Sequence, residues 1–304
     1  MTQTPPGQPV LGSNLALFLI MSALWGATWL PLKVASEHLP PVTIAFVRFL
    51  LAGPLFFLLA RGAPLGIRRE DWPRLAASAL LMNSANYAIL FWGVARAPSG
   101  LAAVVNFAAT PLTFILLGAM TGRERADAAR LASVALGIAG LALLFSSQAS
   151  LASAHPEAGW GLAACALSTL CYCGGAVMTQ PLLPKYPAAA LAGWQGCIGA
   201  AGLAVLMLLA EPPTLQHVRA LLTWPVALSI AALVIGGSLA GYTIYLRLLK
   251  AWGAFRSGLY AFVSPVVAVA MGWMFLGEAL SWTERAGAAL MFSAMGLALR
   301  PSRQ

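Results

Sequence analysis

Charged residues are so scarce in this chain that it cannot cover itself with a water-soluble surface. Of its 304 residues, 9% are charged and 60% are hydrophobic, whereas a soluble domain carries roughly 25% charged residues. A membrane-spanning helix needs about 20 apolar residues, and ten such runs divide the chain. They lie near residues 14–34, 41–60, 73–94, 100–121, 129–147, 159–180, 188–210, 221–247, 254–276 and 282–299. The sequence predicts an all-α integral membrane protein with ten transmembrane helices.

The basic residues are distributed unevenly between the loops on the two sides. With a cytoplasmic N-terminus, 13 of the 18 Lys and Arg residues fall on the cytoplasmic side and 4 fall outside, while Arg48 stays within a helix. Cytoplasmic loops of membrane proteins are enriched in Lys and Arg. We therefore expect both termini to be cytoplasmic, and we interpret the net charge of +9 as a topology signal. We expect a lipid bilayer to surround the helices, and no nucleic-acid partner is predicted.

The two halves of the chain share residues at nearly constant spacing. A shift of 154 residues pairs Arg96 with Lys250, Pro111 with Pro265 and Glu124 with Glu278, and a shift of 147 pairs Trp25 with Tyr172 and Arg48 with Gln195. These pairs predict two five-helix repeats, at residues 1–148 and 149–304. An odd number of helices per repeat inserts the second half in the opposite orientation. Inverted repeats are typical of carriers whose substrate site lies near the bilayer midplane.

Several motifs resemble the EamA-type drug/metabolite transporter superfamily. They are Leu24-Trp25-Gly26-Ala27, the Pro-x-x-x-x-x-x-Arg pattern that ends at Arg48, the stretch from Ala97 to Glu124, and the stretch from Leu249 through Pro265 to Glu278. The resemblance covers nearly the whole chain and looks closest to exporters of aromatic amino acids. It implies a ten-helix, multi-pass exporter of small metabolites in the bacterial inner membrane. Gln195 departs from the arginine pattern of the first half, so any role of Arg48 is asymmetric.

Ionisable groups are missing from the middle of the predicted helices. All nine carboxylates and all three histidines fall in predicted loops or at helix ends. Carriers driven by protons or sodium usually keep such a group in their pathway. We therefore expect an exporter without an evident coupling-ion site, and no metal site, cofactor or catalytic residue is predicted. An intramembrane enzyme is disfavoured because no nucleophile-and-base pair or metal-ligand set lies at membrane depth.

Neutral polar and aromatic residues form the predicted substrate site. Its members are Trp25, Asn83, Asn86, Tyr87, Asn106, Tyr172, Ser238, Tyr242 and Tyr260. Amide and hydroxyl groups can bond the amino and carboxylate groups of a small zwitterion, and aromatic walls accept a ring. Amino acids, including aromatic ones, are the favoured substrates. Exporters of drugs, nucleosides or other metabolites are the alternative, and a nucleotide-sugar carrier is less favoured because only Arg48 is a basic residue within a helix.

Three features keep two interpretations each. Arg48 is either a carboxylate anchor for substrate or an arginine that snorkels or bonds carbonyl groups and so fixes its helix. Pro111 and Pro265 are either paired hinges or static kinks. Asn83 and Asn86 either line the pore or join helices, and for Thr110, Ser238 and Ser264 bonds to their own helix are favoured. The small residues Gly137, Gly140, Gly287 and Gly296 suggest peripheral packing or a homodimer.

Overall fold

The computed structural model describes residues 11–97, 99–122, 127–146, 157–276 and 281–299, and within these ranges the chain is helical and contains no strand. The helices are α1 (Leu11–Ala27), α2 (Trp29–Ser36), α3 (Pro41–Leu59), α4 (Trp72–Ala79), α5 (Asn86–Val94), α6 (Ser99–Met120), α7 (Ala128–Leu144), α8 (Ala158–Thr179), α9 (Ala188–Ala210), α10 (Leu215–Leu221), α11 (Trp224–Ala232), α12 (Thr243–Gly258), α13 (Tyr260–Leu276) and α14 (Trp282–Ala298). Two π-helical segments, Leu80–Ala85 and Leu233–Tyr242, join α4 to α5 and α11 to α12.

These helices combine into ten spans. Seven described segments are long and apolar enough to cross a membrane: Gly12–Ser36, Pro41–Leu59, Arg69–Val94, Leu101–Met120, Ala158–Leu182, Ala188–Ala210 and Trp224–Gly258. Ala128–Leu144 and Tyr260–Met274 are shorter apolar helices, and the 17-residue α14 completes the set. The predicted all-α, ten-helix membrane fold is confirmed. Because the number of spans is even, Leu11 and Leu299 lie at one end, here called the terminal end; the opposite end is the far end.

A glycine separates the eighth span from the ninth. Gly253 has φ 80° and ψ 178°, a backbone conformation that is essentially restricted to glycine. The chain turns here without a loop, so α12 contributes both the end of the eighth span and the first turn of the ninth. The sequence predicts a six-residue loop at 248–253, whereas the structure fills this range with helix up to this single break.

The second and seventh spans pack with their backbones nearly in contact. A Cβ atom added to Gly196 would lie 2.8 Å from the Cα of Gly53, so only glycine permits this approach. At the far end, the Glu211 carboxylate accepts hydrogen bonds from the backbone N–H groups of Val42 and Thr43, at 3.1 and 2.8 Å. An anionic group at a helix N-terminus satisfies otherwise free N–H donors. These contacts hold α3 and α9 together across the repeat boundary.

The fifth and tenth spans form a second close pair through predicted small residues. A Cβ atom on Gly140 would lie 2.8 Å from the Gly287 carbonyl oxygen, and one on Gly137 would strike the Phe262 ring. Nothing lies within 4 Å of the corresponding position on Gly296. Gly137, Gly140 and Gly287 therefore serve packing within the chain. A homodimer through these peripheral helices stays a prediction.

The predicted hinge prolines lie inside continuous helices. Pro111 is within α6 and Pro265 is within α13. The irregular backbone instead lies in the two π-helical segments of the third and eighth spans, which sequence analysis did not predict. π-Helical segments often occur at functional sites. The hinge role of the prolines stays a prediction, and these segments are further places where the spans depart from regular α-helix.

A central cavity open at the far end

A large cavity runs from the far end to the centre of the bundle. Its volume is about 800 Å³, within the range of roughly 300–1,000 Å³ that is usual for small-molecule sites. Lys33, Ser36, Pro41 and Glu284 line it at helix ends, so its mouth is at the far end. Toward the centre it ends at Met82 and Tyr242, among other side chains.

All predicted substrate-site residues line this cavity. They are Trp25, Asn83, Asn86, Tyr87, Asn106, Tyr172, Ser238, Tyr242 and Tyr260, and Arg48 and Pro265 line it as well. Pro111 is not among the lining residues. The structure therefore brings residues from seven spans and both repeats to one place. Whether these residues bind substrate stays a prediction.

Aromatic rings form the inner wall of the cavity. The rings of Trp25 and Tyr260 meet edge to face with centroids 4.5 Å apart, and Trp25 Nε1 donates a hydrogen bond of 3.0 Å to the Gly237 carbonyl oxygen. Tyr245 stacks on Tyr242 with centroids 5.9 Å apart. Offset and edge-to-face contacts hold such rings in fixed orientations. The wall is thus rigid and apolar on its faces.

Two hydroxyl groups in the aromatic cluster have no partner. The oxygen atoms of Tyr172 and Tyr245 are buried and make no hydrogen bond. Sequence analysis did not select Tyr245, which is fully buried, because one apolar span offers no signal that distinguishes a cavity wall from the packed layer behind it. Its place in a tyrosine-rich stretch, three residues after Tyr242, was the available clue.

The asparagines play different parts in the cavity wall. Asn83 Nδ2 donates a hydrogen bond of 2.9 Å to the backbone oxygen of Gln195, and Asn106 Nδ2 donates one of 2.9 Å to Thr169 Oγ1. Asn86 lines the cavity and makes no hydrogen bond with any described residue. Asn83 and Asn106 therefore join helices while they face the cavity, whereas the Asn86 amide is free for a ligand.

The hydroxyl groups predicted to bond their own helix divide into two groups. Thr110 Oγ1 donates to the Asn106 carbonyl oxygen four residues earlier, as predicted. The prediction is wrong for Ser264, whose hydroxyl donates a hydrogen bond of 3.1 Å to the Ser22 carbonyl oxygen of α1. This bond forms because α1 and α13 pack closely at that point. Ser238 Oγ instead accepts a hydrogen bond from Arg48 in another span.

Arg48 crosses from the second span to its neighbours. Its Nε donates a hydrogen bond of 2.8 Å to Ser238 Oγ, and its Nη1 donates one of 3.3 Å to the Tyr87 hydroxyl. Among the described residues, no carboxylate lies within ion-pair distance of its guanidinium. The interhelical bonds agree with a fixing role, and the place in the cavity wall agrees with a ligand-binding role. The contacts by themselves leave both interpretations open.

A buried amide network closes the centre of the bundle below the cavity. Gln195 is fully buried; its Nε2 donates to Ser78 Oγ at 2.9 Å and Thr179 Oγ1 at 2.8 Å, and its Oε1 accepts from the Tyr242 hydroxyl at 2.7 Å. The sequence indicates Gln195 only as the counterpart of Arg48. That correspondence was the signal that could have placed it at the site.

The two halves of this arrangement correspond to each other. Asn86-Tyr87-Ala88-Ile89 resembles Gly241-Tyr242-Thr243-Ile244, so the pair Arg48 and Tyr87 corresponds to the pair Gln195 and Tyr242. Arg48 and Tyr87 line the open cavity, whereas Gln195 is buried beneath it and bonds Tyr242 at the cavity floor. Likewise Phe91 and Val94 of α5 line the cavity, whereas Tyr245, Leu248 and Leu249 of α12 are buried.

An ionic cluster joins the two repeats at the terminal end. The Asp71 carboxylate is almost completely buried and accepts from Lys185 Nζ at 2.9 Å and from the Tyr186 hydroxyl at 2.7 Å. The Tyr186 oxygen also accepts from the backbone N–H of Arg68. With the Gln195 network, this cluster keeps the terminal end shut.

Titratable and metal-binding groups are sparse along the cavity. Within the part of the chain that the structure describes, Glu284 is its one lining carboxylate, and it lies at the mouth. The same part holds no group of three His, Cys, Asp or Glu residues that could bind a metal, and its four cysteines are free. Glu124, Glu278 and His155 lie outside the described residues, as does the predicted boundary between residues 148 and 149.

Comparison with known proteins places the whole chain in one family. The profile of the EamA-like transporter family matches residues 13–146 and again residues 159–300, consistent with two repeats. The inner membrane transporter YedA of Escherichia coli K12 is 29% identical over 278 residues, which cover 91% of this chain and 86% of that protein. A probable amino-acid metabolite efflux pump of Salmonella typhimurium is 30% identical over 290 residues, 92% of each chain.

The fold has been seen in a crystal structure. That structure matches with a TM-score of 0.80 over 95% of this chain and 96% of its own, at 22% sequence identity. At this identity the match supports the fold alone. The double match to the family profile, the ten helical spans and the central cavity agree with one another, and the chain belongs to the EamA-like transporter family.

Proposed function

We propose that this protein exports small metabolites with a polar head and an apolar body, and that amino acids, including aromatic ones, are its preferred substrates. One observation carries the proposal: an 800 Å³ cavity combines an aromatic inner wall with neutral amide and hydroxyl groups. A ring fits against the wall while the head bonds to the polar groups. A relative named as a probable amino-acid metabolite efflux pump supports the same substrate class.

The proposed mechanism is alternating access between equivalent halves. The cavity is open at the far end and closed by the Gln195 network, and the repeats give each open element a closed counterpart. Exchanging the two arrangements would close the far end and open the terminal end. Substrate then crosses without a continuous channel, as inverted repeats allow.

We place the protein in the bacterial inner membrane with both termini in the cytoplasm. The relative YedA is named as an inner membrane transporter, and the unequal distribution of Lys and Arg supports this orientation. The far end is then periplasmic, and the cavity is outward-open. Export follows when substrate enters from the terminal end after the exchange.

Transport is proposed to be uncoupled. The described lining residues include no histidine and no carboxylate except Glu284 at the mouth, so within this part of the chain neither type of group lies deep in the pathway. A substrate that accumulates in the cell would drive its own export.

Exporters of drugs or nucleosides are the second candidate, favoured by the apolar wall. A nucleotide-sugar carrier fits less well because the described lining residues offer a diphosphate only Arg48 and, at the mouth, Lys33. An enzymatic function is not proposed, since the described cavity residues provide no nucleophile with a neighbouring base.

Counterflow into proteoliposomes tests the function. Vesicles preloaded with unlabelled L-phenylalanine should take up labelled L-phenylalanine faster than vesicles without protein, and labelled nucleosides should give little signal. Absence of counterflow for every amino acid would overturn the substrate class. In the same vesicles, an inward proton gradient should produce no accumulation, and accumulation that an ionophore abolishes would contradict uncoupled transport.

A further inference from the structure

We propose that Arg48 anchors the carboxylate of the substrate and that no charged group recognises an amine. The transported molecules would then be carboxylates with an apolar or aromatic part, whether or not they carry an amino group. This inference rests on the proposed function but goes beyond it. It names the carboxylate as the substrate group that the protein recognises, and it extends the substrates to carboxylic acids without an amino group.

The guanidinium group is incompletely paired inside the membrane. An arginine has five N–H donors and stays charged at physiological pH. Arg48 uses one on Ser238 and one on Tyr87, both neutral oxygens, and the described residues offer it no carboxylate. It lies seven residues after Pro41, roughly 10 Å below the start of α3 at 1.5 Å per residue. An arginine at this depth normally faces a partner or a water-filled cavity.

The second repeat shows what the position needs for structure alone. At the place of Arg48 it has Gln195, whose neutral amide already joins three other residues in a buried network. Bridging between spans therefore does not require a charge. The position that carries the charge is the one that lines the cavity, so the charge is available to a ligand.

Arg48 and the aromatic wall meet at one glycine. A Cβ atom on Gly237 would lie 2.9 Å from Arg48 Nη2, and the carbonyl oxygen of the same residue accepts the Trp25 Nε1 hydrogen bond. The charge thus lies against the backbone beside the rings of Trp25 and Tyr260. A carboxylate a few bonds from a ring can contact both, and guanidinium binds carboxylates through two parallel hydrogen bonds.

The remaining charges of the cavity favour the same ligand. Lys33 and Glu284 both line the mouth, where solvent screens them. In the deeper part the described lining residues include one positive charge and no negative one. A low-dielectric cavity with a single positive group attracts anions and repels cations. An ammonium group finds only neutral oxygens there.

Competition in counterflow tests the group that is recognised. Labelled L-phenylalanine uptake would be measured against L-phenylalanine, 3-phenylpropionate, which lacks the amine, and L-phenylalaninamide, which lacks the carboxylate. Loss of a charged hydrogen-bond pair weakens binding by about 10- to 100-fold. We expect 3-phenylpropionate to compete with labelled L-phenylalanine. For the same inhibition, L-phenylalaninamide should require a concentration at least about tenfold higher.

Variants assign the discrimination to Arg48. Arg48→Gln should remove the preference for the carboxylate over the amide, and Arg48→Lys, which keeps the charge, should retain part of it. Arg96→Gln is the matched control, because Arg96 stacks on Trp92 and pairs with Glu157 and does not line the cavity. It should leave the preference unchanged.

Thermal unfolding in detergent separates this inference from the proposed function. Ligands that bind the folded protein raise its unfolding temperature, so 3-phenylpropionate should raise it for the wild type and not for Arg48→Gln. If no amino acid is transported but this Arg48-dependent shift occurs, the proposed substrate fails and the anchor stands. Equal competition or equal shifts by carboxylate and amide in the wild type, or an unchanged preference in Arg48→Gln, would overturn the anchor.

Discussion

At the residue scale, the cavity separates side chains that hold the helices from side chains that are free for substrate. Asn83 and Asn86 are three residues apart and both line the cavity. Among the described residues only Asn83 has a partner, the Gln195 backbone oxygen. Residue type cannot distinguish them, because the same amide can serve either purpose. Their hydrogen bonds therefore predict opposite effects of substitution.

Asn83→Ala should lower the free energy of unfolding by about 1 kcal/mol, because it removes the buried hydrogen bond that joins Asn83 to the Gln195 carbonyl oxygen of α9. Asn86→Ala should change it by less than about 0.5 kcal/mol but slow counterflow, because it removes an unpaired amide from the cavity. Thermal unfolding and counterflow on the two purified variants measure both effects. Equal loss of stability in the pair would contradict this division.

At the scale of the helical elements, closure of the terminal end depends on α12 and the π-helical segment before it. The Tyr242 hydroxyl donates to Gln195 Oε1, while Tyr245, three residues later and stacked on it, has a hydroxyl without a partner. One bond of this kind contributes about 1 kcal/mol, which is roughly a fivefold change in an equilibrium between two states. The two tyrosines form a natural comparison.

Tyr242→Phe should loosen the terminal end, because it removes the donor to Gln195 Oε1 that joins the eighth span to the seventh. Hydrogen exchange in the range Thr243–Gly258 should become about fivefold faster, while exchange in Pro41–Leu59 should not change. Tyr245→Phe is the control and should leave both ranges unchanged, since its hydroxyl makes no bond to Gln195. Equal acceleration in both variants would show that ring packing, and not the Gln195 bond, holds the end closed.

At the scale of the whole molecule, one end is open and the other is closed although the repeats are related. The rigid pair of α3 and α9 carries Arg48 and Gln195 on opposite sides of the centre, and the ionic cluster of Asp71, Lys185 and Tyr186 adds closure at the terminal end alone. The orientation of the bundle then decides which compartment the open cavity faces.

A periplasmic mouth requires the terminal end to face the cytoplasm. Alkaline phosphatase fused after residue 304 should be inactive in bacterial cells, whereas a fluorescent protein fused there should fluoresce. A fusion at 214, in the far-end connection before α10, should give the opposite result. An active phosphatase at the C-terminus would reverse the proposed orientation.

Much of the fold could be predicted because hydrophobicity over about 20 residues is a local property. The ten spans, the two repeats and the family all follow from local runs and from the spacing of a few Pro, aromatic and charged residues. Trp25, Tyr172, Tyr242 and Tyr260 also line the cavity, because polar and aromatic groups inside apolar helices have few other places to face; their binding of substrate stays a prediction.

The sequence by itself determined that this chain crosses the membrane ten times and that Arg48 and Gln195 are counterparts. Only the tertiary structure decided which counterpart faces the cavity, that Ser264 bonds α1, and that Tyr245 stands behind the wall. These outcomes depend on which helices touch, and apolar sequences fit many neighbours almost equally well. The scarcity of charge fixes the surroundings of the chain, whereas packing between the spans decides where its few polar groups point.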